Sequence, residues 1–269
     1  MLWAGFLETG LFFEQMDRKE FWMIEIKNVS FTYPDFKGEK TLQNVNLNFP
    51  KGEFISLIGK SGSGKSTLFK LLTTQFQPDA GQILFDGRPI QLGDVGYMPQ
   101  KDLLLPWATI LENVRLSGKL DKQHPVSKEK ALEWLDKAGL KEYAYALPKD
   151  LSGGMRQRAA FVRTILANKP VLLLDEPFGA LDSFTQYEMQ QWLLSLWQEL
   201  NKTIVFITHN IDEAVLLSNR VFLLQNWHNG DDTQIKEWHI DLPRPRPKDI
   251  RYHAQFIEYK KALEVAIHE

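Results

Sequence analysis

The chain has 269 residues, of which 43% are hydrophobic and 25% charged, as in an ordinary soluble globular protein. Its 32 Lys and Arg residues against 34 Asp and Glu residues give a formal net charge of -2, which provides no electrostatic basis for non-specific binding to nucleic acid. The chain has no cysteine, so a disulfide framework and a thiolate metal site are both excluded.

The first 22 residues are rich in aromatic side chains but show no regular period and no turn residues. Their apolar part is interrupted by Glu8 and is shorter than the ~20 apolar residues that a membrane-spanning helix needs. No basic segment precedes it, as one would in a signal peptide. We therefore expect residues 1–22 to form a loosely ordered extension, and any membrane role to come through a partner.

Strand patterns dominate the next part of the chain. The stretch MIEIKNVSFTY, starting at Met23, alternates apolar and polar residues as a half-buried strand does. TLQNVNLNF and EFISLIG follow, on either side of a turn at residues 50–52. GQILFDGRPI predicts a further strand that ends in a turn at Asp86 and Gly87.

The second half of the chain alternates between helix and strand. Residues 109–147 are helical in character, and a helix from LSGG is predicted to run to about residue 168, where Pro170 stops it. VLLLDEP, TIVFITH and RVFLLQN read as buried strands, with SFTQYEMQQWLLSLWQEL and IDEAVLLS as the helices between them. This alternation predicts an α/β fold with a parallel sheet. PRPRP at 243–247 predicts an extended segment, and a last helix is expected near residues 248–267.

A phosphate-binding loop is predicted at residues 59–67, which match GxxxxGK[ST] between a predicted strand and a predicted helix. Glycines there let the backbone N–H groups wrap closely around phosphates. Lys65 is expected to bridge the β- and γ-phosphates, and the Ser66 hydroxyl to ligate Mg²⁺. The residues predicted to contact the nucleotide here are Gly59, Ser61, Gly62, Gly64, Lys65, Ser66 and Thr67. The alternative is a glycine-rich turn with a chance lysine, which would not require the strand–loop–helix context.

Further polar residues follow predicted strands. Asp175 and Glu176 end the apolar run LLLDEP, at the sheet edge where open α/β folds bind their ligands. Asp175 suits a ligand of Mg²⁺, and Glu176 suits the base that orients and deprotonates water, although Glu176 could also simply cap the loop. His209 follows TIVFIT, where it is expected to contact the γ-phosphate. Gln100 is predicted to reach Mg²⁺ or the attacking water.

The stretch LSGGMRQR at 151–158 predicts a second helix whose free N–H groups point at an anion. In form and in order with the other motifs, it resembles the signature sequence of the ATPase subunits of ABC transporters. The resemblance covers about residues 23–226. By this resemblance, Tyr33 in SFTYPD is the aromatic that stacks on adenine, and Asp182 in FGALD lies in the loop that contacts a partner subunit.

The resemblance implies a P-loop NTPase core with an N-terminal antiparallel β subdomain and an inserted α-helical subdomain. It places the ATPase domain at residues 23–240, with the helical part at about 101–168, and an extended segment plus helix at 241–269. Two copies pack head to tail with ATP between them. Ser152, Gly153 and Gly154 of one copy then complete the cage around the γ-phosphate held by the other, and hydrolysis lets the copies part.

Two stretches of the sequence indicate one particular group within this family. QKDLLLPWATILENV at 100–114 and DLPRPRPKDIRY at 241–252 resemble the nitrate, sulfonate and taurine importers, a group that also handles pyrimidine precursors of thiamine. The implied partners are integral-membrane permease subunits and a separate extracytoplasmic solute-binding protein. The chain would then lie at the cytoplasmic face of the membrane, held by the permease, with ATP and Mg²⁺ as cofactors.

An alternative stays open, namely a soluble ABC ATPase that does mechanical work on another macromolecule. The chain has one glycine loop and one signature, which disfavours tandem two-cassette proteins. It also lacks an NKxD motif for guanine, which disfavours a GTPase. Region 101–150 discriminates between importer and soluble ATPase, because in importers it receives a short helix of the permease.

Overall fold

The computed structural model describes residues 22–35, 41–120, 124–179, 181–200, 202–225 and 232–268. The predicted extension over residues 1–22 therefore lies, apart from Trp22, outside the described residues. Within the described ranges, no helix is both long enough and apolar enough to cross a bilayer.

The secondary structure follows the predicted alternation along the chain. In chain order, the strands are β1 (Trp22–Phe31), β2 (Leu42–Pro50), β3 (Phe54–Ile58), β4 (Ala80–Phe85), β5 (Arg88–Pro89), β6 (Val95–Met98), β7 (Val171–Asp175), β8 (Thr203–Ile207), β9 (Arg220–Gln225) and β10 (Gln234–His239). The α-helices are α1 (Lys65–Leu72), α2 (Ile110–Val114), α3 (Leu116–Leu120), α4 (Lys128–Lys137), α5 (Gly153–Leu166), α6 (Ser183–Leu200), α7 (Ile211–Leu217) and α8 (Ala254–His268).

Two sheets organise the described part of the molecule. The first is antiparallel, in the order β2-β1-β4-β5, and corresponds to the predicted N-terminal β subdomain. The second has the order β10-β9-β3-β8-β7-β6, with parallel pairing throughout except for β10, which is antiparallel to β9. Strands β5, β6 and β10 are additions to the strands that the sequence patterns predict.

The parallel sheet is buried on both faces, which explains why its strands are continuous apolar runs. All five residues of β3 and of β8 are buried. Phe54 and Ile58 face one hydrophobic core, with the helices, while Ile55 and Leu57 face the other core, with α1 and the antiparallel sheet. This period of two follows from the alternation of side chains along a strand.

The order of the central strands brings the predicted site residues to one edge. β8 pairs in parallel with both β3 and β7, so Ile207 is opposite Leu57 on one side and Asp175 on the other. The carboxyl ends of these three strands therefore meet. The loop from β3 into α1, the end of β7 and the turn after β8 come together at this edge.

Most helix boundaries agree with the sequence patterns within a turn. Helix α1 covers Lys65–Leu72, directly after the glycine loop, and α5 ends at Leu166 rather than near residue 168. The helical region begins with a capping box, in which the Thr109 hydroxyl accepts the N–H of Glu112 and the Glu112 carboxylate accepts the N–H of Thr109. The side chain of Ser127 caps α4.

The C-terminal segment packs on the main core. Leu242, Ile250, Phe256 and Leu263 are all buried in the core that also contains the helices around the parallel sheet. Arg246, from the PRPRP stretch, is buried as well and donates a hydrogen bond to the carbonyl of Ser218 at 2.6 Å. The stretch is therefore a packed part of the fold, in contrast to a simple linker.

Candidate nucleotide site

The glycine loop between β3 and α1 needs glycine at two positions, because a side chain at each would clash with a different neighbouring residue. A Cβ atom on Gly59 would lie 2.4 Å from the carbonyl oxygen of Leu224 on β9. One on Gly64 would lie 2.5 Å from the side chain of Leu42 on β2. Gly64 also has φ +92°, in the left-handed region that favours glycine. The loop is thus clamped between both sheets, with its backbone close to the N-terminus of α1.

Lys65 is the first residue of α1 and lies along the glycine loop. Its Nζ donates to the carbonyl oxygens of Gly59 at 2.8 Å and Lys60 at 2.9 Å, and to the Ser63 hydroxyl at 3.3 Å. Burial lowers the pKa of Lys65, while the nearby charges of Glu176 and Asp175 oppose this shift. A buried cation at a helix N-terminus is a strong site for an anionic group.

The three predicted catalytic side chains meet at Glu176. Its Oε1 lies 2.5 Å from Nε2 of His209, and its Oε2 accepts a hydrogen bond from Nε2 of Gln100 at 2.7 Å. The backbone N–H of Glu176 donates to the carbonyl of Ile207 at 3.0 Å, which ties it to the end of β8. Glu176 also has φ 47°, a conformation that costs a non-glycine residue ~1–3 kcal/mol and that clusters at active sites.

Asp175 has a partner that the sequence patterns did not identify. The Tyr97 hydroxyl, on β6, donates to Oδ2 of Asp175 at 3.3 Å. Burial raises the pKa of Asp175, and the charge of Glu176 raises it further. Burial and the adjacent Asp175 carboxylate also raise the pKa of Tyr97. Tyr97 lies on β6, the strand that pairs with β7. The sequence could have indicated Tyr97 only if the stretch that forms β6 had been recognised as a strand.

Tyr33 lies beside α1, next to the glycine loop. Its ring makes edge-on contacts with Phe31 and Phe76, with centroids 5.1 and 5.5 Å away. Its hydroxyl is 3.2 Å from the Thr67 hydroxyl and accepts a hydrogen bond from Lys70 at 3.2 Å. The structure therefore places Tyr33 next to a predicted phosphate-contacting residue, while its role in stacking on adenine stays a prediction.

The signature helix begins at the surface. The Ser152 hydroxyl accepts the backbone N–H of Met155 at 3.3 Å and so caps α5, and both Ser152 and Gly153 are exposed. A Cβ atom on Gly154 would lie 2.3 Å from the side chain of Thr185. The Thr185 hydroxyl in turn donates to Asp182 at 2.6 Å. Thr185, which sequence reasoning missed, therefore joins the signature to the Asp182 loop.

Asp182 caps helix α6 within its own chain. Its Oδ1 accepts the backbone N–H groups of Phe184 and Thr185, each at 3.1 Å. The hydrogen bond from the Thr185 hydroxyl, together with those from the two N–H groups, lowers the pKa of Asp182. An ionised carboxylate is also favoured at a helix N-terminus. This cap orders the loop that the family resemblance assigns to contact with a second subunit.

Side chains of α5 hold the loop that follows Gln100. Arg163 donates to the carbonyl oxygens of Asp102 at 2.6 Å and Leu103 at 2.8 Å. Arg156 forms an ion pair with the Asp102 carboxylate at 3.1 Å, and its guanidinium also donates to the Leu151 carbonyl. The signature helix and the Gln100 loop are thus joined by two arginines whose roles the sequence patterns did not reveal.

The metal-binding potential of the site depends on oxygen donors. Among the residues that the structure describes, no group of three or more His, Cys, Asp or Glu side chains is arranged to hold a metal. Mg²⁺ at nucleotide sites needs few protein ligands, because phosphate and water oxygens complete its shell. The Ser66 hydroxyl, the half-buried Asp175 carboxylate and the Gln100 amide oxygen are hard donors that fit this ion.

The parallel sheet, the clamped glycine loop with its buried lysine, and the carboxylates that end the adjacent strand define a P-loop NTPase. The model of the family described as "ABC transporter" matches residues 42–179. The chain belongs to the ABC transporter family, and it is an ATPase subunit of that family. This confirms the resemblance in the sequence, the α/β fold with a P-loop core, and ATP as the ligand.

Individual relatives agree with this assignment. The chain is 42% identical to the formylaminopyrimidine import ATP-binding protein ThiZ of Halalkalibacterium halodurans, over 92% of this chain and 97% of the relative. It is 39% identical to the aliphatic sulfonates import ATP-binding protein SsuB of Bacillus thuringiensis subsp. konkukian, over 82% and 88% of the two chains. Both names describe ATP-binding subunits of importers.

Among solved structures, a dimer of the ATP-binding cassette MJ0796 bound to ADP and Pi superposes with a TM-score of 0.71. The two sequences are 34% identical, and the match covers 81% of this chain and 99% of that one. A second structure of the same cassette, also described as dimeric, has a TM-score of 0.70 at 35% identity. This cassette of the same fold is therefore described as a dimer in both structures.

Proposed function

We propose that the chain is the ATP-hydrolysing subunit of an importer for a small solute of the organic sulfonate or formylaminopyrimidine class. The proposal rests on its similarity to the two importer subunits, which extends over more than four fifths of the chain. The same similarity favours an importer over a soluble ATPase that works on another macromolecule. Solute selection would belong to the permease and to a separate binding protein outside the cytoplasm.

The proposed chemistry assigns a role to each group at the sheet edge. Glu176 accepts the proton of the attacking water and orients that water towards the γ-phosphate. His209 and Gln100, which both contact the Glu176 carboxylate, hold it in position and line the γ-phosphate site. Lys65 exchanges its hydrogen bonds within the glycine loop for contacts with the β- and γ-phosphates. The backbone N–H groups of residues 59–67 bind the remaining phosphate oxygens.

Mg²⁺ is proposed as the second cofactor, with Ser66, Asp175 and Gln100 as the groups that would hold it. When bound, the ion would neutralise developing charge on the phosphate oxygens. The side chain of Asp175 is positioned for this role by Tyr97, whose hydroxyl binds one of its two carboxylate oxygens.

The proposed partner in hydrolysis is a second copy of the chain. The signature residues Ser152, Gly153 and Gly154 would close the site of that copy from the opposite side. Exposed Ser152 and Gly153 at the start of α5 are available for such a contact, and Gly154 brings α5 close to the Asp182 loop. The permease would bind the region around residues 101–150 and hold the chain at the cytoplasmic face of the membrane.

The observation that carries the proposed hydrolytic mechanism is the contact of Glu176 with both Gln100 and His209, close to the buried Lys65. We expect Glu176→Gln to keep ATP binding and to lower kcat ~10²–10⁴-fold, because the amide cannot accept the proton of water. With hydrolysis blocked, the ATP-bound dimer should accumulate in size-exclusion chromatography. Turnover of the purified variant close to that of the wild type would rule out Glu176 as the base.

A matched control is Glu188→Gln, which changes an exposed glutamate on α6 that pairs with Arg158. Its kcat should equal that of the wild type. The solute class is tested separately, by measuring uptake of a labelled alkanesulfonate and of formylaminopyrimidine in cells with and without the chain. Unchanged uptake of both compounds would contradict the proposed solute class while leaving the ATPase assignment intact.

A further inference from the structure

His209 stands between two residues that are themselves held by hydrogen bonds. The Thr208 hydroxyl accepts the backbone N–H of Asn210 at 3.0 Å, which closes a tight turn around His209. The Asn210 side chain caps α7 by accepting two backbone N–H groups of its first turn, at 2.9 and 3.3 Å. Thr208 is buried, whereas the His209 side chain is 52% exposed. The position of the exposed histidine is therefore set by its neighbours.

Glu213, on α7, is the centre of a buried polar cluster behind this turn. Only 4% of Glu213 is exposed. Its carboxylate accepts hydrogen bonds from the Thr208 hydroxyl, from the side-chain amide of Gln186, and from that of Gln190 at 3.2 Å. One carboxylate thus joins the turn that carries His209 to helix α6.

The cluster also connects with other parts of the molecule. Gln186 and Gln190 lie one turn apart on α6, the helix that starts directly after Asp182. Arg251, in the C-terminal segment, donates to Oε1 of Gln190 at 2.6 Å. This bond fixes the orientation of the amide, so that its nitrogen faces Glu213.

A buried carboxylate is a poor choice for stability alone. Removing it from water opposes folding, and hydrogen bonds to its charged form only offset that cost. Burial accordingly raises the pKa of Glu213, while the hydrogen bonds from Thr208, Gln186 and Gln190 act in the opposite direction. An apolar side chain would pack in the same place without this cost, but it could not orient the Thr208 hydroxyl.

We propose that Glu213, acting through Thr208, is a positioning residue that holds His209 against Glu176 and ties its placement to the start of α6. Glu213 and Thr208 are both buried behind the turn, so their proposed effect is exerted through His209. The inference rests on the proposed function, because it assumes that Glu176 and His209 act in ATP hydrolysis. If the wild-type chain had no ATPase activity, the proposed function itself would be wrong. If the wild type hydrolyses ATP but the variants below do not behave as expected, only the inference about Glu213 and Thr208 fails.

The experiment compares Thr208→Val with Thr208→Ser and with a control at Thr203, the first residue of β8, the strand that ends directly before Thr208. Thr203 also has a buried hydroxyl, which accepts the N–H of Gly52 at 2.8 Å and lies 3.2 Å from the Pro50 carbonyl. It lies about 17 Å away along the strand. Thr208→Val should lower kcat about tenfold or more with little change in KM for ATP, because a small displacement of a catalytic group costs activity. Thr208→Ser, which keeps the hydroxyl, should have a kcat within about twofold of that of the wild type.

Thr203→Val should lower the melting temperature as much as Thr208→Val does while leaving kcat unchanged. A second arm combines Thr208→Val with His209→Ala. If Thr208 acts through His209, the double variant should be no slower than His209→Ala alone. Equal kcat values for the Thr208→Val and Thr203→Val variants, or a full additional loss in the double variant, would overturn the proposal.

Discussion

Two glycines of the phosphate loop differ in what surrounds them. A Cβ atom on Gly59 would meet a backbone carbonyl at 2.4 Å, whereas one on Gly62 would meet nothing within 4 Å. We expect Gly59→Ala to lower the free energy of unfolding by more than about 2 kcal/mol, because backbone must move to admit the methyl group. Gly62→Ala should cost about 1 kcal/mol, from its left-handed φ alone. Urea unfolding without nucleotide measures both, and equal losses would contradict this account.

The buried carboxylate of Glu213 predicts a pH dependence of stability. Its pKa is raised in the folded chain, so at pH values between the unfolded and folded pKa the folded state binds more protons. Stability from this group is thus fully present below its ordinary pKa and is lost as the pH rises through the folded pKa. Glutamine at this position cannot ionise, so the Glu213→Gln variant does not lose this stability. The free energy of unfolding of the variant minus that of the wild type should therefore increase as the pH rises from about 4 towards neutral.

The test is a series of urea unfolding curves of both proteins from pH 4 to pH 8. Arg251 is the nearby charge that favours the ionised form, and Arg251→Gln should widen the difference between the two curves. A difference that stays constant over this range would mean that Glu213 ionises equally in the folded and unfolded chains.

The sequence assigns single residues to the candidate site where one motif contains them. Lys65, Glu176, His209 and Gln100 each stand at a fixed place in a recognisable stretch, and the structure brings the last three into direct contact. Tyr97 and Thr185 carry no such signature. Tyr97 meets Asp175, and Thr185 meets Gly154, only because the fold brings distant parts of the chain together. A single sequence contains no information on which distant residues become neighbours.

Helix α5 contributes more than the signature at its start. Arg163 donates two hydrogen bonds to main-chain carbonyls in the loop after Gln100, and its burial lowers its pKa. Arg163→Met keeps most of the side-chain packing but leaves these carbonyls without their donor. We expect a loss of about 2–3 kcal/mol in the free energy of unfolding, and a fall in kcat as Gln100 loses its support.

The control for this prediction is Arg158→Met on the same helix. Arg158 pairs with Glu188, whose side chain is 65% exposed, and such a pair contributes only about 0–1 kcal/mol. Similar losses of stability and of kcat in the two variants would show that Arg163 has no special role in holding the Gln100 loop.

Strands β6 and β10 show where element prediction fails. β6 has four residues, VGYM, too few for a clear period, and it is a strand because β7 pairs with it on one side. β10 has the polar sequence QIKEWH and lies at the edge of the sheet, where it needs no apolar run. By contrast, β3, β7 and β8 are central, and their burial on both faces produces the apolar runs that the sequence reveals.

Across the whole molecule, the main features follow from the order of the motifs. The glycine loop, the signature and the strand-end carboxylates appear in one order along the chain, and the resemblance that they carry predicted the fold class and the family. The sequence analysis did not predict that the C-terminal segment packs into the main hydrophobic core. Its buried residues, such as Phe256 and Leu263, are dispersed among polar ones, and only the tertiary structure shows what they pack against.

The last prediction concerns the proposed composite site, in which each nucleotide would contact two copies of the chain. Ser152→Arg should block hydrolysis, because the new side chain occupies the space of the partner's γ-phosphate, while ATP affinity of the monomer stays unchanged. Lys65→Ala should abolish hydrolysis by weakening phosphate binding in its own chain.

When the two inactive variants are mixed in equal amounts, a heterodimer contains one site with an intact Lys65 and an intact Ser152. Random pairing should therefore restore about one quarter of the wild-type activity, if the two sites act independently. Ser152→Ala, which removes the hydroxyl without adding a bulky side chain, serves as the control for the loss of the α5 cap. An inactive mixture, or a clear loss of monomer ATP affinity in Ser152→Arg, would show that the signature acts within its own chain.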